Sequence, residues 1–175
     1  MKKAIISALL LFILTFQTTD SLAEIGFESG LGFPSGYMDI SYDAFGYERI
    51  PLFNKGDIEI KLAGSFAAKG DGNNGQLFTA LASSYILGRY EVENYFDNLK
   101  PFISPGAGLH IIRSWANKKS PLNDLPMWTI TTKAHMFYGM EFRFAGKAYL
   151  IFQGRVTYPG DILFDLWFLG LGARL

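Results

Sequence analysis

Two histidines, His110 and His135, are the side chains of this sequence best suited to acid–base or metal chemistry. An imidazole titrates near neutral pH and is a common metal ligand. No HxxxH or HExxH spacing accompanies either residue, so the pattern does not build a metal cluster. The expectation is that both are hydrogen-bonded interior histidines, with no catalytic residue, cofactor or metal. There are no cysteines, which removes disulfide and thiolate chemistry. The Gly-rich run Lys69-Gly70-Asp71-Gly72-Asn73-Asn74-Gly75 lacks the strand–loop–helix context of a phosphate-binding loop. With one carboxylate it is also thin ligation for calcium, so it is predicted to be an exposed loop. Sixteen basic residues balance sixteen acidic ones, which gives no footprint for nucleic acid.

The elements that must position these groups are read from period-2 alternation. Trp128–Phe144 places Trp128, Ile130, Thr132, Ala134, Met136, Tyr138, Met140, Phe142 and Phe144 on one side. The other side carries Thr129, Thr131, Lys133, His135, Phe137, Gly139, Glu141 and Arg143. Successive side chains of a strand point to opposite faces. This run is longer than an ordinary soluble strand of about 5–6 residues and suits a strand that crosses a bilayer. Similar alternation marks Glu24–Phe33, Tyr37–Ala44, Asp57–Ala67, Leu77–Tyr90, Pro101–Ser114, Ala148–Tyr158 and Phe164–Leu175. In Leu77–Tyr90 the facing stays open: either Leu77, Leu81, Tyr85 and Leu87 face outward, or Phe78, Ala80, Ala82 and Ile86 do. Connections are expected near 34–36, 46–56, 68–76, 91–100, 115–127, 145–147 and 159–161.

Residues 1–23 read as a cleaved signal peptide: Met1-Lys2-Lys3, an apolar core Ala4–Phe16, and Ser21-Leu22-Ala23 before the cut. That core is shorter than the ~20 residues of a spanning helix, and no later segment is long and apolar enough. Residues 24–175 are therefore expected to form one all-β domain. Only a closed barrel pairs every backbone polar group in lipid. The expectation is an eight-stranded antiparallel up-and-down transmembrane β-barrel. A soluble lipocalin-like barrel, apolar inside and polar outside, is the rival. The many glycines on the polar face and the rings at strand ends (Trp128, Phe144, Tyr158, Trp167) favour the membrane form.

Three features carry a resemblance. Lys100-Pro101-Phe102-Ile103 leads into Gly106-Ala107-Gly108-Leu109, the chain ends in Leu169-Gly170-Leu171-Gly172-Ala173-Arg174-Leu175, and the signal peptide lacks a lipid-anchor Cys. In these the chain resembles small bacterial outer-membrane β-barrels of the OmpA, OmpX and OmpW type. Leu175 departs from the terminal aromatic usual in that group. The resemblance implies an outer-membrane location and handling by the barrel assembly machinery. It also implies contact with outer-membrane lipid and lipopolysaccharide, and a possible host or surface ligand. Arg155-Val156-Thr157-Tyr158-Pro159-Gly160 is distantly similar to lipid A deacylase barrels. Thr157 and Pro159 stand where those enzymes carry His and Ser, so the Ser–His pair is missing.

Charge on the polar face is uneven. Early strands carry Glu24, Glu28, Asp39, Asp43, Asp57 and Glu59, with Lys61 the exception. Late strands carry Lys133, Arg143, Arg155 and Arg174, with Glu141 the exception. Early and late strands oppose each other across a narrow lumen. A salt-bridge network of Glu28, Asp39, Asp57, Glu59, Lys133, Glu141, Arg143, Arg155 and Arg174 is expected to fill it, since unpaired buried charge is costly. The 115–127 loop, with Trp115, Lys118 and Lys119, is the first candidate for an external contact. The expected function is non-enzymatic, structural or surface-interacting. The alternatives are a lipid-A-modifying hydrolase with a non-standard site near His110 or His135, or a narrow channel for small apolar solutes.

Overall fold

The computed structural model describes residues 23–34, 40–53, 56–70, 76–92, 97–116, 128–159 and 165–175. The signal-peptide segment, Asp39, Lys118 and Lys119 lie outside these residues. The described chain forms eight strands: β1 (Glu24–Pro34), β2 (Ile40–Phe53), β3 (Gly56–Gly70), β4 (Gln76–Glu91), β5 (Leu99–Ala116), β6 (Thr129–Ala145), β7 (Ala148–Tyr158) and β8 (Leu166–Arg174). They close in sequence order into one barrel. Every neighbouring pair is antiparallel, and β1 closes on β8 with Gly26 opposite Arg174 and Pro34 opposite Leu166. Closure leaves no unpaired edge, which a hydrocarbon environment demands.

The wall is apolar outside and polar inside. Phe27, Leu31, Ile40, Ile86, Ile103, Ile130, Phe144, Leu150 and Leu171 are exposed on the outer surface. Glu28, Asp43, Glu59, Lys61, Arg89, His110 and Glu141 are buried in the lumen. A soluble barrel has the reverse arrangement, so this is a membrane-spanning wall. No helix among the described residues is long and apolar enough to cross a membrane; the strands do the crossing. β6 and its register explain the long alternation of 128–144. Phe137 and Glu141 are fully buried, while Trp128, Ile130, Met136, Met140, Phe142 and Phe144 face out.

Two boundaries differ from the sequence reading, and one facing that the sequence leaves open is resolved. Residues 46–53, expected as connection, continue β2, whose inward face there is Tyr47 and Arg49. Trp115, expected in a loop, belongs to β5 and faces outward. In β4 the open facing resolves with Phe78, Ala80, Ala82 and Ile86 outward, and with Tyr85, Leu87 and Arg89 buried inside. The β6–β7 turn is Gly146-Lys147, and Gly146 sits at φ 53°, the left-handed region that glycine enters without steric cost.

Candidate functional site: the buried polar lumen

At the end of the barrel that carries the first and last strand termini, the lumen holds a network of five carboxylates and five cations. Glu141 on β6 is its hub. It accepts Arg49 Nη2 at 2.7 Å, Arg89 Nη2 at 2.7 Å and Arg174 Nη2 at 2.8 Å. Glu59 binds Arg49 Nε at 2.6 Å and lies 3.4 Å from Lys61 Nζ. Glu28 takes Lys61 Nζ at 3.1 Å and the Tyr149 hydroxyl at 3.1 Å. Glu24 closes the set with Arg49 at 2.8 Å and Arg174 at 3.1 Å. Arg143 reaches Glu91 at 3.5 Å. Aromatic faces complete the solvation of the cations. Arg49 stands 4.1 Å from the Tyr47 ring centroid, Arg89 3.8 Å from Phe102, and Lys61 5.0 Å from Phe45.

Above this network an aromatic layer crosses the lumen. Phe45 meets Phe168 edge-to-face at 5.2 Å, and Tyr85 meets Phe137 edge-to-face at 5.1 Å. Toward the far end the histidines meet. His110 Nε2 and His135 Nε2 are 2.7 Å apart, Ser83 Oγ is 2.7 Å from His110 Nδ1, and Thr157 Oγ1 is 3.2 Å from His135 Nδ1. Two arrangements of protons satisfy all three contacts: Ser83 donates to His110, His110 to His135 and His135 to Thr157, or every bond runs the other way. Both rings therefore fit as neutral imidazoles, and the Tyr85 ring packs edge-on to each at 5.4 and 5.3 Å. No group of three or more His, Cys, Asp or Glu among the described residues is placed to hold a metal ion. Arg155 Nη1 donates to the Tyr85 hydroxyl at 2.7 Å. It lines a cavity of about 20 Å³ with Ser41, Ser65, Thr79, Leu81 and Ile112. That is room for one or two waters.

The structure gathers some of the expected network and separates the rest. Glu28, Glu59, Glu141, Arg143 and Arg174 share one cluster. Asp57 is half-buried at the rim and joins none of the ion pairs among the described residues. Arg155 lies on the far side of the aromatic layer and pairs with Tyr85 instead. Lys133 is half-buried near the far end of β6. Two central cations, Arg49 and Arg89, were absent from the expectation. Both sit on strand segments where bulky residues share their face: Phe45 and Tyr47 beside Arg49, Tyr85 and Leu87 beside Arg89. A rule that assigns apolar residues to lipid hides them. The available signal was the unbroken two-residue spacing Phe45, Tyr47, Arg49. Thr157 faces the lumen and binds His135, while Tyr158 faces out.

One carboxylate stands on the wrong face. Glu48 points outward between the inward Tyr47 and Arg49, with Ile25 and Ile60 as its cross-strand neighbours. Its Oε2 is buried and has no hydrogen-bond partner among the described residues. A charged group on the lipid face destabilises by an amount that depends on depth. Glu48→Leu is expected to raise unfolding stability by about 1–2 kcal/mol, read from urea titration of the folded barrel in lipid. A neutral or negative change would place Glu48 in the aqueous interface.

No protein-family model matches the chain, and a search of curated proteins returns no relative. Solved structures do match. The outer membrane protein OprG from Pseudomonas aeruginosa has a TM-score of 0.57 at 8% identity, covering 89% of this chain and 97% of that one. Ail, the attachment invasion locus protein of Yersinia pestis, in complex with the heparin analogue sucrose octasulfate, has a TM-score of 0.50 at 14% identity, covering 87% and 96%. Neisserial surface protein A has a TM-score of 0.50 at 11% identity, covering 87% and 94%. The chain thus has the fold of the small eight-stranded barrels of bacterial outer membranes.

Proposed function

We propose that the protein is a non-enzymatic outer-membrane barrel whose lumen is closed by its own charged and aromatic side chains. Its work is then done on the membrane-facing and external surfaces. The observation that carries this is the filled interior: an ion-pair cluster, an aromatic layer and a histidine pair are stacked along the lumen. An eight-stranded barrel is only just wide enough for its side chains. The chain termini lie at the periplasmic end in this reading, and the far end faces outward. A surface-interaction role finds support in Ail, which has the same fold and was solved with a sulfated ligand. In planar bilayers the purified barrel is expected to give no large, steady conductance; persistent open channels would sink the closed-lumen reading.

A second reading, hydrolysis of a lipid ester, has one observation in its favour: Ser83 and His110 stand at nucleophile–base distance. Against it, both are buried inside the wall, and neither lines the cavity of about 20 Å³, which is too small for an acyl chain. Mass spectra of lipid A with and without the gene separate the readings. An altered acylation pattern would overturn the non-enzymatic one.

A further inference from the structure

We infer that the outward face of β5 and β6 at the far end is a binding site for a phosphate of the outer-leaflet glycolipid, with Arg113 as its cation. The inference rests on the outer-membrane orientation proposed above. Along β5 the outward residues Ile103, Ala107, Leu109 and Ile111 form part of the apolar belt, and the next outward residue is Arg113. It is exposed and forms no ion pair among the described residues. Two indole rings flank it: its guanidinium carbon lies 5.7 Å from the Trp115 centroid and 5.2 Å from the Trp128 centroid. Indole rings settle where hydrocarbon meets headgroups, so they fix the depth of the cation. Trp115 itself stacks on Phe78 at 5.7 Å and meets Phe66 at a tilt at 6.0 Å, so ring packing supports that wall of the site. Opposite Arg113 on β4 stands Ala80, too small to cover it.

The chemistry follows from this placement. A guanidinium presents a planar fork of N–H donors that matches a phosphate with two parallel hydrogen bonds. The ring faces hold the cation by cation–π attraction without neutralising it, so an anion is still needed. A soluble anion would have to enter the plane of the membrane to reach a side chain bordered by Ile111 and Trp128. A lipid headgroup already lies there. In an outer leaflet built of phosphorylated glycolipid, that headgroup phosphate is the fitting partner.

The test uses the full barrel folded in micelles doped with lipid A, with the same lipid A stripped of its phosphates, or with phosphatidylglycerol. Native mass spectrometry counts the lipid retained. The wild type is expected to keep lipid A about fivefold better than Arg113→Gln, with Arg113→Lys between them. Dephosphorylated lipid A is expected to be retained by the wild type no better than lipid A is by Arg113→Gln, and phosphatidylglycerol, whose phosphodiester offers two oxygens but no sugar, to lie between lipid A and its dephosphorylated form. Equal retention by Arg113→Gln, or of either control lipid by the wild type, overturns the site. Heat-modifiable gel migration confirms that each variant is folded. Orientation is read separately. The chain lacks cysteine, so Lys147→Cys in the exposed β6–β7 turn gives one label site. It should resist a membrane-impermeant maleimide in intact cells and react after permeabilisation. Labelling in intact cells overturns the orientation and the glycolipid site with it; protection with failed retention overturns the site alone.

Discussion

Replacing Glu141 by Ala is expected to cost the barrel about 3–5 kcal/mol. Glu141 is fully buried and accepts three guanidinium groups at 2.7–2.8 Å, from Arg49, Arg89 and Arg174. Removing it leaves Arg89, itself without exposed surface, with Glu59 at 3.6 Å as its nearest remaining buried carboxylate. Uncompensated buried charge is far more costly than the ion pair was favourable, because each ion was taken out of water to form it. Glu141→Gln keeps the shape but loses the charge, and should fall between wild type and Ala. The combined change Glu141→Leu with Arg89→Leu should recover much of the loss, since a matched apolar pair leaves no orphan ion. Urea titration of the barrel in lipid, with heat-modifiable migration as a second readout, measures all three. A loss below about 1 kcal/mol for Glu141→Ala would mean that water enters this end of the lumen and solvates the arginines.

The second large effect is expected at Gly139, on the inward face of β6. A Cβ built there would lie 2.1 Å from the Phe152 carbonyl oxygen and 2.7 Å from Gln153 Cα, both on the paired strand β7. Those atoms belong to backbone in the hydrogen-bond ladder, so neither can yield without loosening β6 from β7. Gly139→Ala should therefore cost about 2–3 kcal/mol. Gly64, on the outward face of β3, is the control, because a Cβ there meets nothing within 4 Å. Gly64→Ala should change stability by less than about 0.5 kcal/mol. Similar effects at the two sites would show that the wall relaxes freely and that the close strand approach is not enforced.

Along Trp128 and β6 the outward positions Trp128, Ile130, Met136, Met140, Phe142 and Phe144 are large and apolar, so the pattern is unambiguous. In β2 and β4 both faces are mixed. Outward, β2 carries Gly46 and Glu48, and β4 carries Ala80, Ala82 and Gly88; inward they carry Phe45, Tyr47, Tyr85 and Leu87. Lipid accepts small residues at little cost, and a closed lumen needs bulk to fill it. Polarity therefore stops reporting facing in those strands, and the inward placement of Arg49 and Arg89 is hidden with it. Trp115 is ambiguous for a different reason: tryptophan suits a polar rim as well as a strand end, and β5 runs on through it to Ala116.

The sequence by itself determined the class of the protein: eight alternating segments, in an order that closes as an up-and-down barrel, with one polar face. Period-2 patterning is a local property, and a closed barrel is the way strands satisfy their backbone in lipid. Only the tertiary structure decided who pairs with whom. Glu141 and Arg49 lie 92 positions apart and meet at 2.7 Å because barrel closure sets β2 across the lumen from β6. His110 and His135 meet through the β5–β6 register, and Arg113 stands between two indoles through that same pairing. Strand register and lumen width fix these meetings, and neither is written in the alternation of any one strand.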